Sequence, residues 1–98
     1  MSKIRLQERE TYMNKLVSDK NLGNNLRRLR KLHRFTQDQL VAKLNILGIQ
    51  VTRSLYSRYE TGELNIPVRV IIALHIIYNC SYDAFFEGLT LTEENWYK

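Results

Sequence analysis

An all-α fold is what this sequence predicts, and three observations carry it. Four glycines and one proline in 98 residues leave little turn chemistry for many short strands. Apolar residues recur at three- and four-residue spacing in successive segments. Between those segments stand Thr36, Thr52 and Ser81, suited to start helices, and Gly48, Gly62 and Asn79, suited to stop them. The length is that of a single domain with one modest core, so a separate sensing or catalytic domain is not expected. Hydrophobic residues at 44% and charged residues at 26% mark a folded chain rather than a disordered one.

Leu22, Leu26 and Leu29, with Arg27, Arg28, Arg30 and Lys31 around them, predict a basic amphipathic helix over about residues 20–33. Thr36 and Gln39 make a capping box for a second helix that turns Leu40, Val41 and Leu44 inward and ends near Gly48, with Phe35 and Leu40 as its hydrophobic staple. Thr52 caps a third helix running from Arg53 to about Thr61, closed by Gly62. Asn65 and Pro67 stand where a fourth helix begins, and it reaches Tyr78 with apolar residues on almost every side. Ser81 caps a short fifth helix with Tyr82, Phe85 and Phe86, and Thr90 with Glu93 can cap one more turn before Trp96 and Tyr97.

The net charge of +5 is unevenly placed. Residues 1–19 carry four basic and three acidic side chains, residues 20–58 nine and one, and residues 59–98 two and six. A basic block of this kind is either a surface that meets a polyanion or a solvated helix face, and charge alone leaves both open. The single cysteine, Cys80, cannot close an intrachain disulfide, which fits a reducing cytoplasm. The opening MSKIRLQERE has no apolar core segment, so no signal peptide is expected, and the apolar stretch at residues 70–78 is too short to span a bilayer.

The stretch NLGNNLRRLRKLHRFTQDQLVAKL, then TRSLYSRYETGELNIP, then NCSYDAFF, resembles the phage repressor and Cro family of helix-turn-helix proteins, often called the Xre family, over about residues 21–86. The order and spacing of the pieces carry the resemblance. It implies a five-helix lambda-repressor-like DNA-binding domain at residues 21–88, with a helical N-terminal extension at residues 1–20 and a C-terminal tail at residues 89–98. It also implies sequence-specific binding of double-stranded DNA by a transcriptional regulator, of the repressor kind, that occupies an operator. The third helix would enter the major groove with Arg53, Ser54, Ser57 and Arg58 at base edges, since arginine bonds guanine bidentately. Gln37 and Thr36, at a helix N-terminus, would meet a backbone phosphate, as would Thr61 and Asn65 in the following loop and Arg27, Arg28, Lys31 and Arg34 of the basic block. Arg30 and Glu60 would form a structural ion pair between the first and third helices.

Several features depart from the compact family pattern. About five extra residues separate the second and third helices, where the compact motif has a tight turn. Val41 and Asn45 stand where alanine and glycine are usual, Tyr56 replaces an aliphatic residue, and Glu63 replaces a lysine. The apolar surplus of the fourth helix calls for a cover, either the chain's own ends, with Tyr12, Met13, Leu16 and Val17 at helical spacing, or a second subunit. A homodimer using Ile72, Ile76, Trp96 and Tyr97 is the expectation.

Other chemistry finds less support. One cysteine and no HExxH or paired Cys/His spacing give no metal site, no cofactor motif is present, and no catalytic residue can be named. His33 reads as a helix-dipole partner, His75 as a packed histidine and Cys80 as core. The competing reading is a protein-binding regulator, such as an antitoxin or antagonist with secondary DNA contact. Glu63 and the acidic last third favour that reading, while Arg53, Arg58 and the basic block oppose it.

Overall fold

The computed structural model describes residues 20–89. In order they form α1 (Lys20–Leu32), α2 (Gln37–Ile46), α3 (Arg53–Thr61), α4 (Val68–Tyr78) and a 3-10 helix, η1 (Tyr82–Phe86). No strand occurs among the described residues. The expected helix of Tyr12, Met13, Leu16 and Val17, the capped turn at Thr90 and Glu93, and Trp96 and Tyr97 all lie outside them.

Leu22, Leu26 and Leu29 form one buried stripe along α1, as their spacing requires. Gly23 sits beside that stripe against the end of α3. A methyl group there would stand 2.4 Å from the Glu60 carbonyl oxygen and 2.6 Å from that of Tyr59. The missing side chain therefore lets the two backbones touch. On the other flank of α1, the Asn25 amide donates to the carbonyl oxygens of Phe85 (3.0 Å) and Glu87 (2.9 Å). Arg28 donates to the Ala84 carbonyl and pairs with Glu87, both at 3.3 Å. These bonds hold η1 to α1.

The turn into α2 uses no glycine: Arg34 takes the left-handed conformation at φ 63, which ordinarily costs a non-glycine residue about 1–2 kcal/mol. Thr36 then starts α2 with both halves of a capping box, Gln39 N–H to Thr36 Oγ1 at 3.1 Å and Thr36 N–H to Gln39 Oε1 at 2.9 Å. Gly48, at φ 88, ends the helix region. Residues 47–52 make the long turn to α3, and Asn45 ties it together by donating to the carbonyl oxygens of Ile49 (2.8 Å) and Val51 (3.2 Å). Asn45→Ala removes both bonds. It should lower stability by about 1–3 kcal/mol and speed amide exchange in residues 47–52, measurable by denaturation and hydrogen exchange.

Thr52 caps α3 through the Leu55 N–H (3.1 Å), and Gly62 at φ 83 closes it. The fourth helix starts one residue beyond the expected Asn65–Pro67 position, with Pro67 as its N-cap, because proline supplies a suitable φ but no capping oxygen. Asn79 stops it in the left-handed region, at φ 52.

The fifth element is a 3-10 turn, not an α-helix, and the Ser81 side chain makes no capping bond. Five residues give too few i→i+4 bonds to hold an α-helix, and the Asn25 and Arg28 clamp already takes two of the segment's carbonyls, those of Phe85 and Ala84, and that of Glu87 just after it. Phe85 is fully buried within it, while Phe86 is exposed.

The core gathers Leu26, Leu40, Leu44, Tyr56, Leu74 and Phe85 from all five elements, each side chain worth about 1.5–3 kcal/mol of burial. Ile77, an expected core residue, is only half-buried. His33 stacks on Tyr78 with ring centroids 4.5 Å apart. His75 stacks on Tyr82 at 4.0 Å and its Nδ1 donates to the Cys80 carbonyl oxygen. Both histidines therefore pack against aromatic rings. No helix among the described residues is long and apolar enough to cross a membrane.

Candidate nucleic-acid interface

The seam between α1 and α3 is polar at its centre. Arg30 Nε donates to Glu60 Oε2 at 2.7 Å and Nη2 to Oε1 at 3.1 Å, while Nη1 donates to the Phe35 carbonyl at 2.8 Å. Gln37 Nε2 adds a bond to Glu60 Oε1 at 3.0 Å. Arg30 is 8% and Glu60 5% exposed, so the pair is screened little by water. Burial alone would raise the Glu60 carboxyl, but the bonds from Arg30 and Gln37 outweigh it and hold the group below the usual carboxylate range. The buried Tyr56 hydroxyl lies beside Glu60 outside hydrogen-bond geometry and acts on the carboxylate as a nearby dipole. Burial, then the Glu60 charge, keep that phenol protonated. Three elements are thus locked at one point: the first turn of α2, the last of α3 and the C-terminal half of α1.

That lock orients the outer face of α3. Ser54, Ser57, Arg58 and Thr61 share one side of the helix at i, i+3, i+4 and i+7. Tyr56, Tyr59 and Glu60 take the buried side. Arg53, in the first turn, lies 3.8 Å from Asp38 of α2, and Arg58 lies 3.1 Å from Glu63. Both arginine side chains stay more than half exposed. The Thr61 hydroxyl donates to the Arg58 carbonyl at 3.2 Å.

Beside this face runs an open cleft of about 520 Å³, lined by Asn24, Arg27, Arg30, Gln37, Ser57, Glu60 and Thr61. It brings together Arg27 of α1, Gln37 of α2, and Ser57 and Thr61 of α3. Thr36, Lys31, Arg34 and Asn65 are exposed. Arg28 is placed elsewhere, on the flank of α1 that holds η1. Gln37 faces inward to Glu60 rather than outward, which leaves the first backbone N–H groups of α2 as donors at that edge.

Sequence reasoning passed over two residues that shape this surface. Gly23 carried a signal, a glycine inside an amphipathic helix, where its cost of about 1 kcal/mol calls for a packing reason. Asp38 carried none, because its approach to Arg53 depends on how α2 and α3 meet. Among the described residues, no group of three or more His, Cys, Asp or Glu side chains is placed to hold a metal ion.

A helix-turn-helix family model matches residues 26–85, from the middle of α1 to η1, well over half of the chain. The chain belongs to that family, the Xre/Cro-like helix-turn-helix proteins, and is a DNA-binding regulator by class. No curated protein and no solved structure matches it.

Proposed function

We propose that the protein binds duplex DNA sequence-specifically, with α3 in the major groove, and represses transcription by occupying an operator. The observation that carries this reading is the outer face of α3. Ser54, Ser57 and Arg58 stand in one row, with Arg53 at the helix start, and the Arg30–Glu60 lock holds them against α1 and α2. Arg53 and Arg58 read guanine, while Arg27, Thr36, Lys31, Arg34, Thr61, Asn65 and, through its backbone N–H at the start of α2, Gln37 meet phosphates.

Selecting bound duplexes from a random pool supplies the test site. Arg53→Ala should then cost about 1–3 kcal/mol on that site and little on random DNA. Equal losses on both would make Arg53 a phosphate contact. Affinity should fall with salt at a log–log slope of about −0.9 per neutralised phosphate. Arg27→Ala should reduce that slope by about one contact, and Arg28→Ala, on the η1 flank, should leave it unchanged.

The protein acts as a homodimer through α4 in this reading. Val68, Ile72 and Ile76 are exposed at successive four-residue steps, with Ile76 58% exposed, and an apolar stripe of this kind favours a self-complementary contact. Trp96 and Tyr97, beyond the described residues, are assigned to the same interface. Ile76→Glu should give a folded monomer with much weaker operator binding, measured by sedimentation and by titration of the selected site. A wild-type monomer at tens of micromolar, with an operator lacking two-fold symmetry, would contradict the dimer.

A further inference from the structure

Both arginines beside the outer face of α3 turn the same edge to a carboxylate. Arg58 gives its Nε–H to Glu63 Oε1 at 3.1 Å, and Arg53 Nε lies 3.8 Å from Asp38 Oδ1. A guanidinium held along its Nε side keeps its end, the Nη1 and Nη2 pair, for another acceptor. Those end nitrogens are what a guanine approached head-on would use, O6 and N7 taking two parallel N–H bonds.

Glu63 is more than a loose surface partner. Gly62, at φ 83, turns the chain back after α3, and the Glu63 N–H then donates to the Arg58 carbonyl at 3.0 Å. The two residues are joined through main chain and side chain together. This reduces the side-chain ordering cost that makes most exposed ion pairs weak. The carboxylate also stands at the rim of a surface facing phosphates, where a negative charge opposes sequence-independent attachment.

We propose that Glu63 is a specificity-determining residue: it holds the Nε edge of Arg58, presents the end-on donor pair to guanine, and weakens binding to DNA that lacks the preferred base. Asp38 stands in the same relation to Arg53 at a longer distance. The proposal rests on α3 being the reading helix, and it assigns the glutamate after Gly62 a positive role in discrimination.

The test is a cycle of wild type, Glu63→Gln, Arg58→Ala and the double variant, each titrated on the selected duplex and on a random duplex. Thermal melts confirm that the exposed substitutions leave the fold intact. Glu63→Gln should tighten binding to the random duplex and lower the selected-to-random preference about two- to fivefold, the range open to exposed ion pairs. In the Arg58→Ala background the same substitution should leave the preference unchanged. A preference unaffected by Glu63→Gln, or lowered equally without Arg58, overturns the role of Glu63 while leaving α3 as the reader. Arg58→Ala with no loss of preference overturns it differently, by removing Arg58 from the readout altogether.

Discussion

Gly23→Ala should destabilise the domain by about 1–3 kcal/mol, the usual cost of overpacking, although helix propensity alone favours alanine by about 1 kcal/mol. The added methyl meets the carbonyl oxygens of Glu60 and Tyr59 at 2.4 and 2.6 Å. These are backbone atoms and cannot swing aside as a flexible side chain can. Relief requires α1 and α3 to separate, which stretches the Arg30–Glu60 bonds and tilts the outer face of α3. Urea denaturation measures the first effect, and titration of the selected duplex measures the second. A variant more stable than wild type would show that the close crossing of α1 and α3 is wrong.

Arg30→Ala should cost about 3–5 kcal/mol, the range for breaking a buried pair by removing one partner. The loss is large because Glu60 stays behind, 5% exposed, with only Gln37 bonded to it. Replacing both residues by apolar ones of similar volume should cost far less, since no stranded charge remains. Acid acts on the same pair. The folded pKa of Glu60 is lowered from 4.5, so the folded state binds the proton less readily than the unfolded chain. Its contribution is fully present above about pH 4.5 and is lost as pH falls through the lower folded value. Melting temperature followed from pH 7 downward should therefore drop below about pH 4.5, with a shallower drop in Glu60→Gln, whose starting stability is already reduced.

The local features of the fold were legible in the sequence because their causes are local. Thr36 with Gln39, Thr52, Gly48 and Gly62 begin or end helices through bonds to residues three or four positions away, and Asn79 ends one through its own left-handed backbone. The leucine stripe of α1 follows from periodicity in the same manner, whereas the outer residues of α3 came from the family resemblance. Contacts between elements were less legible. Nothing in the run Leu26-Arg27-Arg28-Leu29 says which arginine faces α3 and which faces η1, since that depends on how α1 is rotated against both. Arg27 and Arg28 accordingly share one expectation and occupy two places. Gln37 shows the same limit: a helix start was readable, but its inward bond to Glu60 depends on a partner 23 residues away. Arg30 and Glu60 came from the family resemblance, and no spacing rule would have paired them.

The most direct test of α3 as the reader is protection of guanine N7 from methylation across the selected duplex. N7 lies in the major groove, where arginine approaches guanine. The wild-type protein should protect guanines within the selected site, and Arg53→Ala should lose protection at one of them while the others stay covered. Bound protein that leaves every guanine N7 in its site open to methylation would contradict the account.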